Sequence, residues 1–213
     1  MPHSIGAIWL ALAALLPSHP RLEQAAERVG LRPQVLDLAL SAHARAMRHG
    51  WTAAPLLTVI DYSRRSRERR LWVLDLARDS VLATELVAHG RGTGDDVARR
   101  FSNRPGSLAS SLGTFITGTT YRGRHGLALR LRGMDAGLND RAEARAIVIH
   151  GADYVSPDAV RRLGRLGRSQ GCPALAPAVV DRVIGLIRGG TVLFAYYPDP
   201  ALLRRSAPQS ASP

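Results

Sequence analysis

The spacing of hydrophobic positions changes near residue 55. Within residues 21–50, Leu36 and Leu40 recur at helical spacing, and a proline suits the first turn of a helix. From Leu56 onward, the apolar runs are short and separated by Gly, Asp, Asn and Ser, as is typical of strands joined by turns. We therefore predict a helical lead-in over residues 21–50 and a main domain over residues 51–200.

Most of the main domain is predicted to be β structure. Residues 71–76 and 81–90 are apolar runs that flank the short turn "ARDS" and predict a hairpin. Over residues 126–133, leucines alternate with Ala and Arg, so one face is buried and the other is wet. The runs "RAIVIHG" and "TVLFAYY" predict two further strands. Many short strands with few helices predict a mainly β sandwich or barrel.

Two helices are predicted inside this β domain. A Ser-Pro-Asp run beginning at Ser156 suits the cap and first turn of a short helix that reaches about Leu163. Over residues 177–188, Val179 and Val183 lie on one apolar face, and two glycines follow. The second helix therefore follows the only cysteine of the chain.

The two ends of the chain have distinct compositions. The apolar run within residues 1–20 is too short to span a bilayer, and its length suits the core of a signal peptide. However, no Arg or Lys precedes it and no clean small-x-small cleavage site follows, so its role as signal peptide or apolar leader stays open. Residues 201–213 have the composition of a disordered tail.

The formal net charge is +12, and all 29 basic residues are arginine. The absence of lysine excludes Schiff-base chemistry, a phosphate-loop lysine and a Ser-Lys dyad. The densest run, "RRSRERR" at residues 64–70, lies between two apolar runs, where a solvated loop is expected. Because the other arginines are scattered and no nucleic-acid motif occurs, we expect no dedicated nucleic-acid binding.

The lone cysteine, Cys172, lies in the segment "GRLGRSQGCPAL". A single cysteine is either a small buried hydrophobe or a reactive thiol, and a reactive thiol needs a base. Of the seven histidines, His150 ends a predicted strand and is followed by Gly151. Gly171 permits a tight turn in which its amide and that of Cys172 could point at one oxygen, as an oxyanion hole requires. The residues alone leave both interpretations open.

No metal-binding motif accompanies this pair. The sequence contains no His-x-His, His-Glu-x-x-His or Cys-x-x-Cys, so we expect neither a metal site nor a cofactor.

The segments "IVIHGADYVS" and "GRLGRSQGCPAL" resemble the active-site signature of the YkuD-type L,D-transpeptidases, which reads His-Gly, a loop, then Ser-x-Gly-Cys. The segments "LWVLDL", "VAHGRGTG", "FSNRPGSLASSLGTF", "GLALRLRGMDAGLNDRAEAR" and "GGTVLFAY" resemble, in the same order, the murein L,D-transpeptidase catalytic domain branch. The resemblance covers roughly residues 56–197. It implies a mainly β catalytic fold and a cysteine acyltransferase that acts on peptidoglycan stem peptides. Such enzymes attack the carbonyl of the third residue of a tetrapeptide stem, expel D-alanine, and pass the thioester to an amine or to water.

The resemblance also implies roles for individual residues. Cys172 would be the nucleophile, and His150 the general base and later the acid. The backbone carbonyl of Gly151 would orient the histidine ring, as an acidic side chain does in other triads. Ser169 matches the family serine and is a candidate substrate contact, as is Gln170 beside it, and Gly171 with Cys172 would form the oxyanion hole.

Two positions depart from the wider family. Gln170 replaces a frequent histidine or other aromatic residue, and Ala174 replaces a frequent arginine or asparagine. These changes bear on how the peptide is held, and Arg168 could replace a lost donor. Further candidate substrate contacts, each also compatible with a structural role, are His89, Asn103 and Tyr154.

An enzyme that acts on the cell wall must lie outside the inner membrane. The resemblance therefore favours an export role for the leader and a periplasmic or secreted location in a bacterial cell envelope, and the positive charge fits an anionic wall. Two other functions stay open. One is an L,D-carboxypeptidase that releases the thioester to water, and the other is a non-catalytic wall-binding module, for which Gln170 and Ala174 are the only hints. The sequence does not indicate the oligomeric state.

Overall fold

The computed structural model describes residues 19–124 and 126–206. The predicted leader, up to residue 18, and the predicted tail, from residue 207, lie outside the described residues. Eight strands are present: β1 (Leu56–Asp61), β2 (Leu71–Asp75), β3 (Ser80–Glu85), β4 (Gly113–Gly123), β5 (Gly126–Gly133), β6 (Val148–Gly151), β7 (Ala174–Leu175) and β8 (Val192–Tyr196). Within residues 19–124 and 126–206, five helices accompany them: α1 (Pro20–Arg28), α2 (Pro33–Arg48), α3 (Pro157–Leu163), α4 (Pro177–Ile187) and α5 (Pro200–Ser206).

The predicted mainly β class is confirmed. All eight strands form one sheet in the order β3-β2-β1-β8-β4-β5-β6-β7. The pairs β1–β8 and β6–β7 are parallel, and the other neighbours are antiparallel. None of the helices among the described residues is both long and apolar enough to cross a bilayer.

The sheet is nearly closed because the chain that follows β3 pairs with the opposite end. Ala88 forms an antiparallel bridge with Ala174 of β7, and Gly90 forms a parallel bridge with Ser169. The amide of Ala88 donates to the carbonyl of Ala174 at 2.9 Å. The strand predicted over residues 81–90 therefore ends early, at Glu85. Beyond β3 the chain no longer pairs with β2 but crosses to the opposite edge of the sheet.

A fully buried arginine holds this crossing segment. Arg70 immediately precedes β2, and its Nε and Nη2 atoms donate to the carbonyl of Val87 at 3.0 and 2.8 Å. Its Nη1 atom donates to the carbonyl of Arg64 at 2.9 Å, and Nη2 also donates to Nδ1 of His89 at 2.8 Å. The guanidinium lies 5.2 Å from the ring centre of Tyr62. One arginine of the run predicted to be a solvated loop is thus part of the interior.

The helical lead-in is fastened to the sheet by two ion pairs. Arg32 contacts the buried Asp61 at the end of β1 at 2.8 Å, and Arg45 contacts the buried Asp135 at 2.7 Å. The lead-in forms two helices, separated at Gly30, where φ is +81°. The apolar faces of α1 and α2 belong to the same core as the sheet.

Local capping explains where two short helices begin. The predicted cap at Ser156 is confirmed, because its Oγ accepts from the amide of Ala159 at 3.2 Å. The tail predicted to be disordered from residue 201 instead starts as α5. Asp199 Oδ1 accepts from the amide of Ala201 at 2.8 Å, and Leu202 is buried in the core. The composition of this segment did not reveal either contact.

Replacing Arg70 by Met should lower the free energy of unfolding by about 3 kcal/mol, because buried carbonyls lose their donors. The matched control is Arg69→Met, which removes an exposed arginine that donates to the carbonyl of Thr84. We expect the control to change the free energy of unfolding by no more than about 0.5 kcal/mol. Urea denaturation measures both, and equal losses in the two variants would contradict the assigned role of Arg70.

Candidate active site

Strand β6 brings the candidate base to the cleft that the candidate nucleophile also lines. In the sheet, His150 pairs with Ala128 of β5 on one side and with Ala174 of β7 on the other. Cys172 lies two residues before Ala174, in the turn that leads into β7. Both His150 and Cys172 line one open cleft of about 780 Å³.

The ring of His150 is oriented by the next residue of the chain. Its Nδ1 atom lies 2.9 Å from the carbonyl oxygen of Gly151. A carbonyl can only accept, so Nδ1 carries the proton and the neutral ring has its lone pair on Nε2. The peptide of Gly151 is itself held, because the next amide, of Ala152, donates to the carbonyl of Leu175 at 2.9 Å. The ring is therefore set up to accept a proton at Nε2.

The turn that carries the nucleophile requires glycine. Gly171 has φ +127°, and an added methyl group would lie 2.9 Å from the carbonyl oxygen of Ala109. A residue with a side chain would be strained in this conformation and would collide with that carbonyl. The requirement supports the prediction of a tight turn immediately before Cys172.

The thiol of Cys172 faces the backbone that leads into β6. Its Sγ atom donates to the carbonyl of Ala146 at 3.7 Å. Burial raises the pKa of the Cys172 thiol, while the amide of Val148 and the charge of Arg145 act in the opposite direction. Because burial has the largest effect, the sulfur is a neutral thiol at neutral pH, and it could act as a nucleophile only if a base removed its proton.

Ser169 fixes the turn from the inside. Its Oγ accepts from the amide of Gly171 at 3.0 Å and donates to the carbonyl of Cys172 at 2.6 Å. The Gly171 amide, expected to be an oxyanion donor, is thus already used. None of the hydrogen bonds among residues 19–124 and 126–206 uses the amide of Cys172. The Cys172 amide is therefore the better placed of the two donors.

Four of the candidate substrate contacts line the cleft, namely Ser169, Gln170, Tyr154 and Arg168. Gln170 is exposed there, and Tyr154 is half-buried close to the sulfur. Burial, together with proximity to Cys172, raises the pKa of Tyr154 to about 12, so the phenol is protonated at neutral pH. Arg168 also lines the cleft, and its guanidinium contacts Asp95 at 2.7 Å.

His89 and Asn103 are not among the residues that line the cleft, and their contacts agree with the structural role left open for both. Both nitrogens of the His89 ring are used inside the protein, since Nδ1 accepts from Arg70 and Nε2 lies 3.2 Å from the carbonyl of Gly94. The side-chain amide of Asn103 donates to Asp140 at 2.7 Å and ties two loops together.

The departure at Ala174 also has a structural explanation. This residue is fully buried at its bridge with Ala88, so it presents no side chain to the cleft.

Arg145 and Tyr121 are among the cleft-lining residues that the sequence did not indicate as site residues. Tyr121 belongs to β4, a strand that was not predicted, and Arg145 is one arginine among many. Within the part of the chain that the structure describes, no three His, Cys, Asp or Glu side chains converge as metal ligands.

Comparison with known proteins identifies one matching family model. A family model described as L,D-transpeptidase catalytic domain matches residues 27–196. No curated protein sequence matches the chain.

Similar solved structures include an L,D-transpeptidase from Mycobacterium smegmatis, with 16% identity, coverage of 68% of this chain and 59% of that chain, and a TM-score of 0.41. L,D-transpeptidase 3 from Mycobacterium tuberculosis has 12% identity, coverage of 67% and 61%, and a TM-score of 0.44. An Enterococcus faecium L,D-transpeptidase has 12% identity, coverage of 67% and 50%, and a TM-score of 0.40. The chain thus spans between 50% and 61% of the length of these three proteins.

Acid should destabilise the fold through His89. Burial, reinforced by the charge of Arg70, lowers the pKa of His89 to about 4, against about 6.5 in an unfolded chain. Because the folded protein favours the neutral ring, His89 contributes up to about 3 kcal/mol to the free energy of unfolding above pH 6.5. This contribution is lost as the pH falls towards 4.

Urea denaturation at pH 7 and at pH 4.5 measures this loss. The variant His89→Gln should lose much of the pH dependence, whereas His49→Gln, at an exposed histidine, should keep it. An unchanged pH dependence in His89→Gln would show that another group is responsible.

Proposed function

The chain belongs to the L,D-transpeptidase catalytic domain family, and we propose that it is a cysteine acyltransferase that acts on peptidoglycan stem peptides. The observation that carries the proposal is the pairing of nucleophile and base. Cys172 and His150 line one cleft, and the bond from His150 Nδ1 to the Gly151 carbonyl gives Nε2 the lone pair that a general base needs.

Acylation would begin with removal of the thiol proton. His150 Nε2 takes the proton as Sγ of Cys172 attacks the carbonyl of the third stem residue. The developing oxyanion accepts a hydrogen bond from the amide of Cys172. The amide of Gly171 can join only by giving up its bond to Ser169. When the intermediate collapses, the carbon–nitrogen bond breaks, and the imidazolium passes its proton to the departing D-alanine amine.

Deacylation would use the same histidine. An amine of a second stem peptide, or water, attacks the thioester while His150 accepts its proton, and the thiol is regenerated. With an amine the product is a cross-link, and with water it is a shortened stem. The L,D-carboxypeptidase therefore differs from the transpeptidase only in the acceptor, and both use Cys172 and His150.

Positive side chains in the cleft suit a substrate that carries carboxylates. Arg168 is the candidate for direct contact, because its partner Asp95 is 75% exposed. Exposed ion pairs contribute little, so Arg168 can exchange that partner for a substrate carboxylate at small cost. Gln170 and Tyr154 supply neutral donors on the same cleft.

A non-catalytic wall-binding module is the weaker alternative. The cysteine, the histidine and its orienting carbonyl are all in place, and the departure at Ala174 lies in the buried sheet rather than in the cleft. A substrate of this class lies outside the inner membrane, so we propose a periplasmic or secreted location. The net charge of +12 fits an anionic wall.

The test is incubation of the full chain with a tetrapeptide stem, with and without an amine acceptor, followed by mass spectrometry of the products. Cross-linked dimers would identify a transpeptidase, and tripeptide stems alone would identify a carboxypeptidase. Cys172→Ala should lower either activity by at least about a thousandfold. His150→Gln should also be inactive, whereas the exposed-site control His49→Gln should be active. Undiminished turnover by Cys172→Ala would overturn the proposed function.

A further inference from the structure

Arg145 lies immediately beside the nucleophile. It precedes Ala146, whose carbonyl accepts from Sγ of Cys172 at 3.7 Å. Ala146 adopts φ +52°, a left-handed conformation in which the chain turns sharply into β6. On the other side of the cysteine, a methyl group added at Gly171 would lie 3.3 Å from Nη2 of Arg145. The guanidinium thus sits against the turn that carries the nucleophile.

The guanidinium of Arg145 is bound entirely by the loop of residues 102–111. Its Nη1 atom donates to the carbonyl of Ser102 and to Oγ of Ser111, both at 2.6 Å. Its Nη2 atom donates to the carbonyl of Ala109 at 2.6 Å and to Oγ of Ser107 at 3.3 Å. All four partners are neutral, and no ion pair among the described residues includes Arg145. Its positive charge is therefore held in place without being neutralised by a carboxylate.

The same loop forms a wall of the cleft and supports the nucleophile turn. Leu108 lines the cleft, and Oγ of Ser110 donates to the carbonyl of Gly171 at 3.0 Å. Ser110 Oγ also accepts from the amide of Gly90, on the segment that closes the sheet, at 3.0 Å. Whatever holds this loop therefore also holds the turn at Gly171.

We propose, resting on the function proposed above, that Arg145 is a positioning residue with two effects. Its guanidinium clamps the 102–111 loop against the Gly171 turn, and its fixed positive charge favours the deprotonated sulfur of Cys172 once His150 has taken the proton. The clamp follows from the four hydrogen bonds. The charge acts at short range in a partly buried place, where it is poorly screened by water.

Other titratable groups face the same sulfur and must be considered in any pH profile. His150, Arg124 and Arg168 line the cleft with Cys172. Tyr62 and Tyr154 also lie near the sulfur, but they carry no charge near neutral pH because their pKa values are about 12. Arg168 has Asp95 as its counterion. The charge of Arg145 lowers the pKa of Cys172, in opposition to burial.

The experiment is the pH dependence of alkylation of the full chain by iodoacetamide. Because Cys172 is the only cysteine, the signal comes from one site. Arg145→Gln removes both charge and clamp, and Arg145→Lys retains the charge but cannot make the same four bonds. The difference between these two variants therefore isolates the charge. Arg141→Gln is the matched control, since Arg141 is exposed, lies one turn earlier and does not line the cleft.

We expect the alkylation midpoint of Arg145→Gln to lie about one pH unit above that of Arg145→Lys, which corresponds to about tenfold slower alkylation at a fixed pH below both midpoints. Hydrogen exchange tests the clamp separately. Amides tied to the loop, such as those of Gly92 and Ser102, should exchange faster in both Arg145 variants and not in Arg141→Gln.

Two results would overturn the proposal. One is identical alkylation profiles for Arg145→Gln and Arg145→Lys, and the other is unchanged exchange in the 102–111 loop of both. If Arg145→Gln does not fold, the comparison of Arg145→Lys with the unmodified chain still tests the clamp, and Arg145→Met replaces Arg145→Gln for the charge. Neither readout needs substrate, so a chain without turnover but with the expected profiles would refute only the function proposed above.

Discussion

The buried guanidinium of Arg70 and a few backbone bridges hold the two ends of the sheet together. The geometry of the candidate active site depends on this closure. Arg70 supplies donors to the segment that leaves β3, including the carbonyl of Val87. That segment then pairs with the nucleophile loop, because the amide of Ser169 donates to the carbonyl of His89 at 3.0 Å. On its other side, the loop continues into β7, which pairs with β6 and His150. Closure of the sheet therefore sets the position of Cys172 relative to its base.

The electrostatics of the site favour a neutral Cys172 thiol and a neutral His150 ring over a thiolate–imidazolium ion pair. Such a site suits a reaction in which a base removes the thiol proton. Burial keeps the sulfur protonated, and the tautomer of His150 is set by the carbonyl of Gly151. A neutral thiol beside a neutral imidazole reacts only when a carbonyl substrate is in position, since charge separation then accompanies bond formation. The nearby arginines, above all Arg145, offset part of the cost of that charge. Under the proposed function, such an arrangement would keep the only cysteine of the chain unreactive between turnovers.

Much of this arrangement could be predicted from local sequence. Helical spacing located the lead-in helices, and the Ser-Pro-Asp run located the start of α3, because both depend on neighbouring residues. The His-Gly and Ser-x-Gly-Cys segments made His150 and Cys172 the candidate pair, and both residues line one cleft. The requirement for glycine at residue 171 could also be anticipated, since a tight turn before a nucleophile leaves no room for a side chain.

Other features depend on contacts between distant parts of the chain. Strand β7 has only two residues and exists because β6 and the crossing segment pair with it. His89 was a candidate for the cleft because it follows an apolar run. Its ring instead lies in the interior, where Nδ1 accepts a hydrogen bond from the buried Arg70. Arg145 carried no sequence signal at all, because its four partners lie in a loop that precedes it by more than 30 residues.

The most direct test of the account is the intact mass of the protein during turnover. Acid quenching shortly after mixing with a tetrapeptide stem should trap a species heavier by the tripeptide acyl group, and peptide mapping should place the added mass on Cys172. Release of D-alanine without any acylated protein, or an acyl group on a residue other than Cys172, would contradict the central claim that this thiol forms the covalent intermediate.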